Sequence, residues 1–243
     1  MTTSGITTYQ LDRDDIITAA IRKLGVIAES QTPSAQSITD GATALNMLIA
    51  EFRGLGMPLW ARKEFSFNPI AGQQVYNLGL TQTPPFNIAY PLHVYQAFRQ
   101  DSSNATKVYM EVIPNFNLNL YPTSSGGTPV QVSYQPLINY GQLSLWPVPD
   151  STATSSVVNI IYQSPFEYFN ASTDTMAFPE EWYNALVYNL ASNLAPEWTL
   201  PLQDREMLDR LADKHLQRVL DNGAEDGSLY VQPDRRGNWT LKS

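Results

Sequence analysis

The sequence predicts an α+β protein in which both chain ends form a four-helix bundle, with an antiparallel β domain (sandwich or barrel) inserted between them and an extended arm at the C-terminus. Three observations point there. Charge divides the chain unevenly: the 15 Lys and Arg and 23 Asp and Glu crowd into the first and last thirds and thin out between Phe65 and Thr175. Apolar residues recur every three or four positions in the two charged ends, whereas in the middle they come in short runs between Pro, Gly, Asn and Ser. Past Gly223 there is no period at all. The expected divisions are residues 1–62 for the first helices, 63–176 for the β domain, 177–222 for the last helices and 223–243 for the arm.

The first helix runs from Asp12 to Leu24, with Ile17, Ile21 and Leu24 on one face. Asp12, Asp14 and Asp15 lie at its positive end and Gly25 terminates it. Ser37 to Leu55 is the stronger amphipathic segment, carrying Ile38, Ala42, Leu45, Ile49 and Phe52 before Gly54, Gly56 and Pro58 stop it. Near the other end, Phe178-Pro179-Glu180-Glu181 reads as a helix opening, followed by Tyr183, Leu186, Leu190 and Leu194 up to Pro196. Leu202 to Leu220 then aligns Leu208, Leu211, His215 and Val219 and spaces Glu206 and Arg210 as an ion pair.

Seven strands are expected between these helices. They are Lys63–Phe67, Gln74–Leu78, Leu92–Arg99, Lys107–Ile113, Val130–Tyr134, Gln142–Trp146 and Val157–Gln163, separated by turns at Asn68-Pro69, Ser125-Gly126-Gly127 and Pro149-Asp150. The many aromatics of this region are read as sheet core and contact surface, Phe166, Tyr168 and Phe169 among them.

The composition disfavours most enzyme classes. With no cysteine and only His93 and His215, thiolate metal sites, a cysteine nucleophile and most histidine chemistry lack their side chains. No phosphate-cradling glycine loop or nucleophile elbow occurs, and neither a cofactor nor a metal is expected. The two histidines read as packed or interface residues. Adjacent acids such as Glu180 and Glu181 serve helix N-termini, since neighbours on a helix do not face each other across a substrate. A formal charge of −8 opposes phosphate binding. No run is long and apolar enough for a membrane helix, and the N-terminus lacks a secretory pattern, so a soluble protein made in a cytoplasm is expected.

Two stretches resemble a known family. A helix ending in Lys23-Leu24-Gly25, a second closing with Gly54-Leu55-Gly56-Met57-Pro58-Leu59-Trp60, and a later helix start at Phe178-Pro179-Glu180-Glu181-Trp182-Tyr183 together resemble the head-to-tail adaptors of short-tailed bacteriophages, the group with the tail tubular protein A and packaged-DNA stabilisation families. That resemblance implies a non-enzymatic virion protein of the neck, assembled in the host cytoplasm. It implies a ring, commonly of twelve copies, bound to the portal above and to a tail nozzle or tube below, with DNA passing through. Twelve copies at −8 give 12 × (−8) = −96, a channel sign that repels phosphate.

The resemblance also makes residues 224–243 a portal-binding strand, with Leu229, Tyr230, Val231, Arg235, Arg236 and Trp239 as its contacts. The alternative for this tail is packing back on its own helices. The alternative for the whole protein is a carbohydrate-binding or carbohydrate-cleaving tail protein, using Glu111 with Glu167 or Asp174 as paired acids. A neck or minor capsid protein of another stage is a third.

Overall fold

The computed structural model describes residues 9–27, 31–54, 61–80, 86, 88–101, 106–122, 124–175 and 178–222, and the backbone of 231–233 and 239–241. The protein is mixed α and β. Helix α1 spans Arg13–Lys23; the Asp12 carboxylate accepts from the Asp15 N–H at 2.9 Å, and Gly25 takes φ of 69° just past the end. Helix α2, Ala35–Phe52, begins earlier than its apolar pattern suggests. Ser34 is extended and its hydroxyl accepts from Ser37 N–H at 3.1 Å, so Ala35 and Gln36 join the first turn.

Helix α4 is Trp182–Leu194 and α5 is Leu202–Asn222, with the short α3, Asn115–Leu118, between them and α2 in sequence. Phe178 to Glu181 lead directly into α4, with Glu181 in helical conformation as its N-cap, so regular helix starts at the end of the predicted opening. They form a turn before it, in which Trp182 N–H donates to Pro179 O (3.0 Å) and Tyr183 N–H to Glu180 O (3.2 Å). Glu180 is engaged elsewhere, accepting the Tyr9 N–H at 3.1 Å.

Helices from both chain ends share one apolar cluster. It holds Ile16, Ile17 and Ile21 of α1, Leu45, Ile49 and Phe52 of α2, and Trp182, Leu186 and Leu190 of α4. Helix α4 is the hub, packing on α1, α2 and α5, while α1 also packs on α2. Helix α5 buries only Leu208, Ala212 and Val219; the expected stripe is present, but Leu211 and His215 are half-buried. Glu206 and Arg210 stand 3.9 Å apart and well exposed, where an ion pair adds little.

All seven expected strands form. They are β1 (Arg62–Phe67), β2 (Val75–Leu78), β3 (His93–Asp101), β4 (Lys107–Ile113), β6 (Gln131–Pro136), β7 (Gly141–Trp146) and β9 (Ser156–Gln163), hydrogen-bonded in the order β1-β9-β3-β4-β6-β7-β2. The expected Gly126-Gly127 loop instead contributes a two-residue strand, β5, beside β8 (Val148–Pro149). The sheet is not wholly antiparallel: β4 and β6 run parallel, pairing Glu111 with Gln131 and Ile113 with Ser133. Residues 114–130 supply the crossover of about a dozen residues or more that a parallel return needs, a length that also permits a wide antiparallel loop.

The sheet curls into a half-barrel. Its terminal strands β1 and β2 are not neighbours in the ladder, yet the Phe67 ring lies 5.0 Å from that of Tyr76, and Phe86 lies 5.2 Å from Phe67 and 5.6 Å from Phe65. Rings close what hydrogen bonds do not. Met110, Val132, Leu143, Leu145, Val158 and Ile160 fill the inside, each with no exposed surface.

Candidate functional site

Three features bear on function: the C-terminal segment, the acids of the β region, and the join between helices and sheet. In the C-terminal segment, β10 (Val231–Pro233) pairs antiparallel with β11 (Trp239–Leu241), setting Val231 opposite Leu241 and Pro233 opposite Trp239. Two of the six expected contact residues, Val231 and Trp239, thus lie on one hairpin. Leu229, Tyr230, Arg235 and Arg236 lie outside the described residues, as do positions 55–60 of the second helix-end motif.

The acids proposed for sugar chemistry are held in separate settings. Glu111 stands on β4 and accepts from Gln131 Nε2 across the strand pair at 2.9 Å. Asp174 lies beside the start of α1, its carboxylate accepting the N–H groups of Ala171 (2.6 Å) and Asn170 (2.8 Å). Those backbone donors, with Arg13 nearby, hold the Asp174 carboxyl below its ordinary range, so it persists as an anion and is unsuited to donate a proton near neutrality. Among the described residues no group of three or more His, Asp and Glu is placed to hold a metal, and no helix is long and apolar enough to cross a membrane.

The histidines differ from one another. His93 is exposed at the start of β3, edge-on to Tyr95 at 4.5 Å. His215 stacks on Tyr188 with ring centroids 4.7 Å apart, and Lys23 Nζ lies 5.2 Å from the Tyr188 ring centre. Desolvation first, then Arg218, Lys214 and Lys23, push the His215 pKa below the ordinary 6.5. Folding therefore favours the neutral ring. Stability contributed by this site is full above about pH 6.5 and falls as pH drops through the window beneath it, where the unfolded chain binds the extra proton. Urea midpoints followed from about pH 7 down to 5 are expected to decline with a component that His215→Gln removes.

The join between helices and sheet is the feature that sequence patterning missed. Residues 164–175 carry almost no regular structure, yet they are bound at nearly every step. Ser164 N–H donates to Ala61 O at 3.0 Å. Arg53, the C-cap of α2, donates to the Phe166 carbonyl, and its guanidinium lies 4.0 Å from the Tyr168 ring centre. Asn46 Nδ2 donates to Phe169 O at 2.9 Å, and Phe169 N–H returns a bond to Asn46 Oδ1 at 3.0 Å. Arg13 N–H then donates to Asp174 O at 3.1 Å, and Asp12 and Thr175 form a β-bridge.

Phe166 and Phe169 are buried in the helical cluster, which corrects their assignment to the sheet, and Phe178 is buried there with them. No sustained period runs through this segment, so only the tertiary fold assigns them. The segment is a strap that ties the end of β9 across α2 to the start of α1. The sequence signal was a polar Asn46 between the buried Leu45 and Leu48 of α2. A polar side chain there needs partners, and the strap backbone supplies them.

No match among curated proteins was found for the chain. The match to a family description of the SU10 adaptor protein runs over residues 7–237, nearly the whole sequence. The chain belongs to the SU10 adaptor protein family, the head-to-tail adaptors of short-tailed phages.

Proposed function

We propose that the protein forms a ring beneath the portal of a phage particle, joining the DNA-filled head to the tail and lining the channel through which DNA leaves. The observation that carries this reading is the family match over residues 7–237. In this role twelve copies assemble, the portal lies above, and a tail nozzle or tube protein binds below. The helices of both chain ends act as a four-helix bundle, with division points near residues 62, 176 and 222, and the strap holds the β body at a set angle to it. A connector needs such rigidity, because it transmits position between two neighbours. The net charge of −8 per copy lets DNA slide past without adhering.

Residues 223–243 act as the arm that engages the portal, with Leu229, Tyr230, Val231 and Trp239 as apolar anchors and Arg235 and Arg236 as polar contacts. Purified protein mixed with portal rings and imaged by electron microscopy is expected to show an added ring on one face. Deleting residues 224–243 is expected to leave the circular dichroism and melting of the helices intact while abolishing docking. Normal docking by the truncated protein would refute the arm; bare portal rings with the full chain would refute the adaptor reading itself.

A further inference from the structure

Helix α5 buries one narrow stripe, Leu208, Ala212 and Val219, packs on α4, and leaves both of its flanks in water. The charges on those flanks are sorted by sign. At about 100° per residue, Arg218 and Lys214 fall about 100° and 140° to one side of the buried Val219, while Asp209, Asp213 and Glu206 fall about 80°, 120° and 140° to the other. All five side chains are exposed. Of the remaining charges of α5, Arg210 and Asp221 point outward between the two edges, and Asp204 and Arg205 lie in the first turn.

This sorting does not serve the helix itself. Unlike charges four residues apart support a helix and like charges at that spacing weaken it. Lys214 and Arg218 are a like pair on one edge, and Asp209 and Asp213 are a like pair on the other. Among the described residues, Lys214, Arg218 and Asp213 make no ion pair, and Glu206 reaches Arg210 only at 3.9 Å. Asp209 accepts from the Ser192 hydroxyl of α4, which leaves its charge uncompensated.

The tertiary fold enlarges the basic edge. His215 stacks on Tyr188 of α4, Lys23 at the end of α1 lies over the same tyrosine, and the charges that act on His215 are Arg218, Lys214 and Lys23, all of them cations. Three cations from two helices thus gather on one flank of a chain whose net charge is −8. Each edge also carries one bare apolar side chain. Met207, about 120° from Val219 on the basic side, is 62% exposed, and Leu202, about 100° away on the acidic side, is 72% exposed.

We infer that α5 joins neighbouring copies, the Lys214 and Arg218 edge of one copy, with Lys23, meeting the Glu206, Asp209 and Asp213 edge of the next; the inference rests on the ring reading above. The second copy is the occupant because charge complementarity is built into the chain. The two edges lie on opposite flanks of one helix, so a copy set beside another brings unlike edges together and leaves one edge of each sign free at the two ends. A contact that uses different patches on its two sides closes into a ring if the rotation allows. It also gives copies of like net charge an attractive line of approach. Exposed ion pairs are individually weak and screened by salt. Copies are therefore expected to associate weakly in solution and to close when concentrated on a portal.

The test uses two full-length double variants, Lys214→Glu with Arg218→Glu and Glu206→Lys with Asp213→Lys. Each is melted to verify folding, then mixed with nuclease-treated portal rings and imaged, alone and together. The first has two acidic edges and the second two basic ones, so each alone is expected to lose ring occupancy at least tenfold. An equimolar mixture is expected to regain it, because the two variants can alternate around the even-numbered ring proposed above. Should a charge-reversed chain melt lower, the neutral pairs Lys214→Gln with Arg218→Gln and Glu206→Gln with Asp213→Asn replace it, and each is expected to lose occupancy severalfold. Rings formed as usual by each variant alone, or a loss confined to one edge, would overturn the contact and leave the adaptor reading standing. A loss from both edges that the mixture does not repair would assign the edges to another partner, an acidic protein surface or DNA phosphate on the basic side, and would overturn the second copy as occupant. Wild-type protein that leaves the portal bare would overturn both readings.

Discussion

Replacing Gly41 by valine is expected to lower the unfolding free energy by about 3 kcal/mol, the upper end of overpacking costs, and the melting temperature by roughly 6–12 °C for a chain of this size. Gly41 lies in the interior of α2, where glycine otherwise weakens a helix by about 1 kcal/mol relative to alanine. Its presence has a reason in the crossing of α1 and α2. A Cβ on residue 41 would stand 2.5 Å from Ile17 Cγ2, and Ile17 is fully buried. That methyl branches directly from Cβ and cannot swing away as the end of a long side chain would. The helices must separate, and Leu45 and Ile49 lose contact with α1. Alanine is expected to be milder, because its helix propensity offsets part of the clash. In an Ile17→Leu background, which removes the obstructing methyl, Gly41→Ala is expected to cost less than it does alone. Thermal and urea unfolding of the four proteins gives the coupling.

Asn46→Ala is expected to destabilise by about 2 kcal/mol, since it leaves the Phe169 N–H and C=O without their side-chain partner in a partly buried site. The loss should be local before it is global. The strap at Phe166 to Phe169 is expected to gain amide hydrogen exchange and proteolytic cleavage ahead of the α4 core. Asn46→Asp is expected to be worse near neutrality, because a carboxylate accepts from Phe169 N–H but faces the Phe169 carbonyl without a proton to offer. Wild-type exchange at residue 169 in the alanine variant would remove the strap as a stabilising element.

Much of the secondary structure was legible from spacing. Alternation and turn residues located β1, β2, β3, β4, β6, β7 and β9 within a residue or two, because each strand has one face in the core and its register depends on side chains two apart. The faces of α1 and α2 were equally readable, since Ile17, Ile21, Leu45 and Ile49 repeat with the helical turn. Family likeness came through the same helix ends. For the candidate surfaces, the sequence offered the charges along α5 and the apolar arm residues, but not where those side chains stand.

What the amino-acid order determined by itself was periodicity and charge, hence which segments are helices, which are strands, and that the protein lacks the side chains for thiol and most histidine chemistry. The fold in three dimensions decided the rest. It set β4 parallel to β6, sent Phe166 and Phe169 to the helices instead of the sheet, and brought Lys23 of α1 to the Lys214 and Arg218 edge of α5. The physical reason is that period records only the near neighbours of a residue along the chain. Strand order, strap contacts and exposure arise from partners far away in sequence, such as Asn46 with Phe169, and those partners meet only when the whole chain has packed.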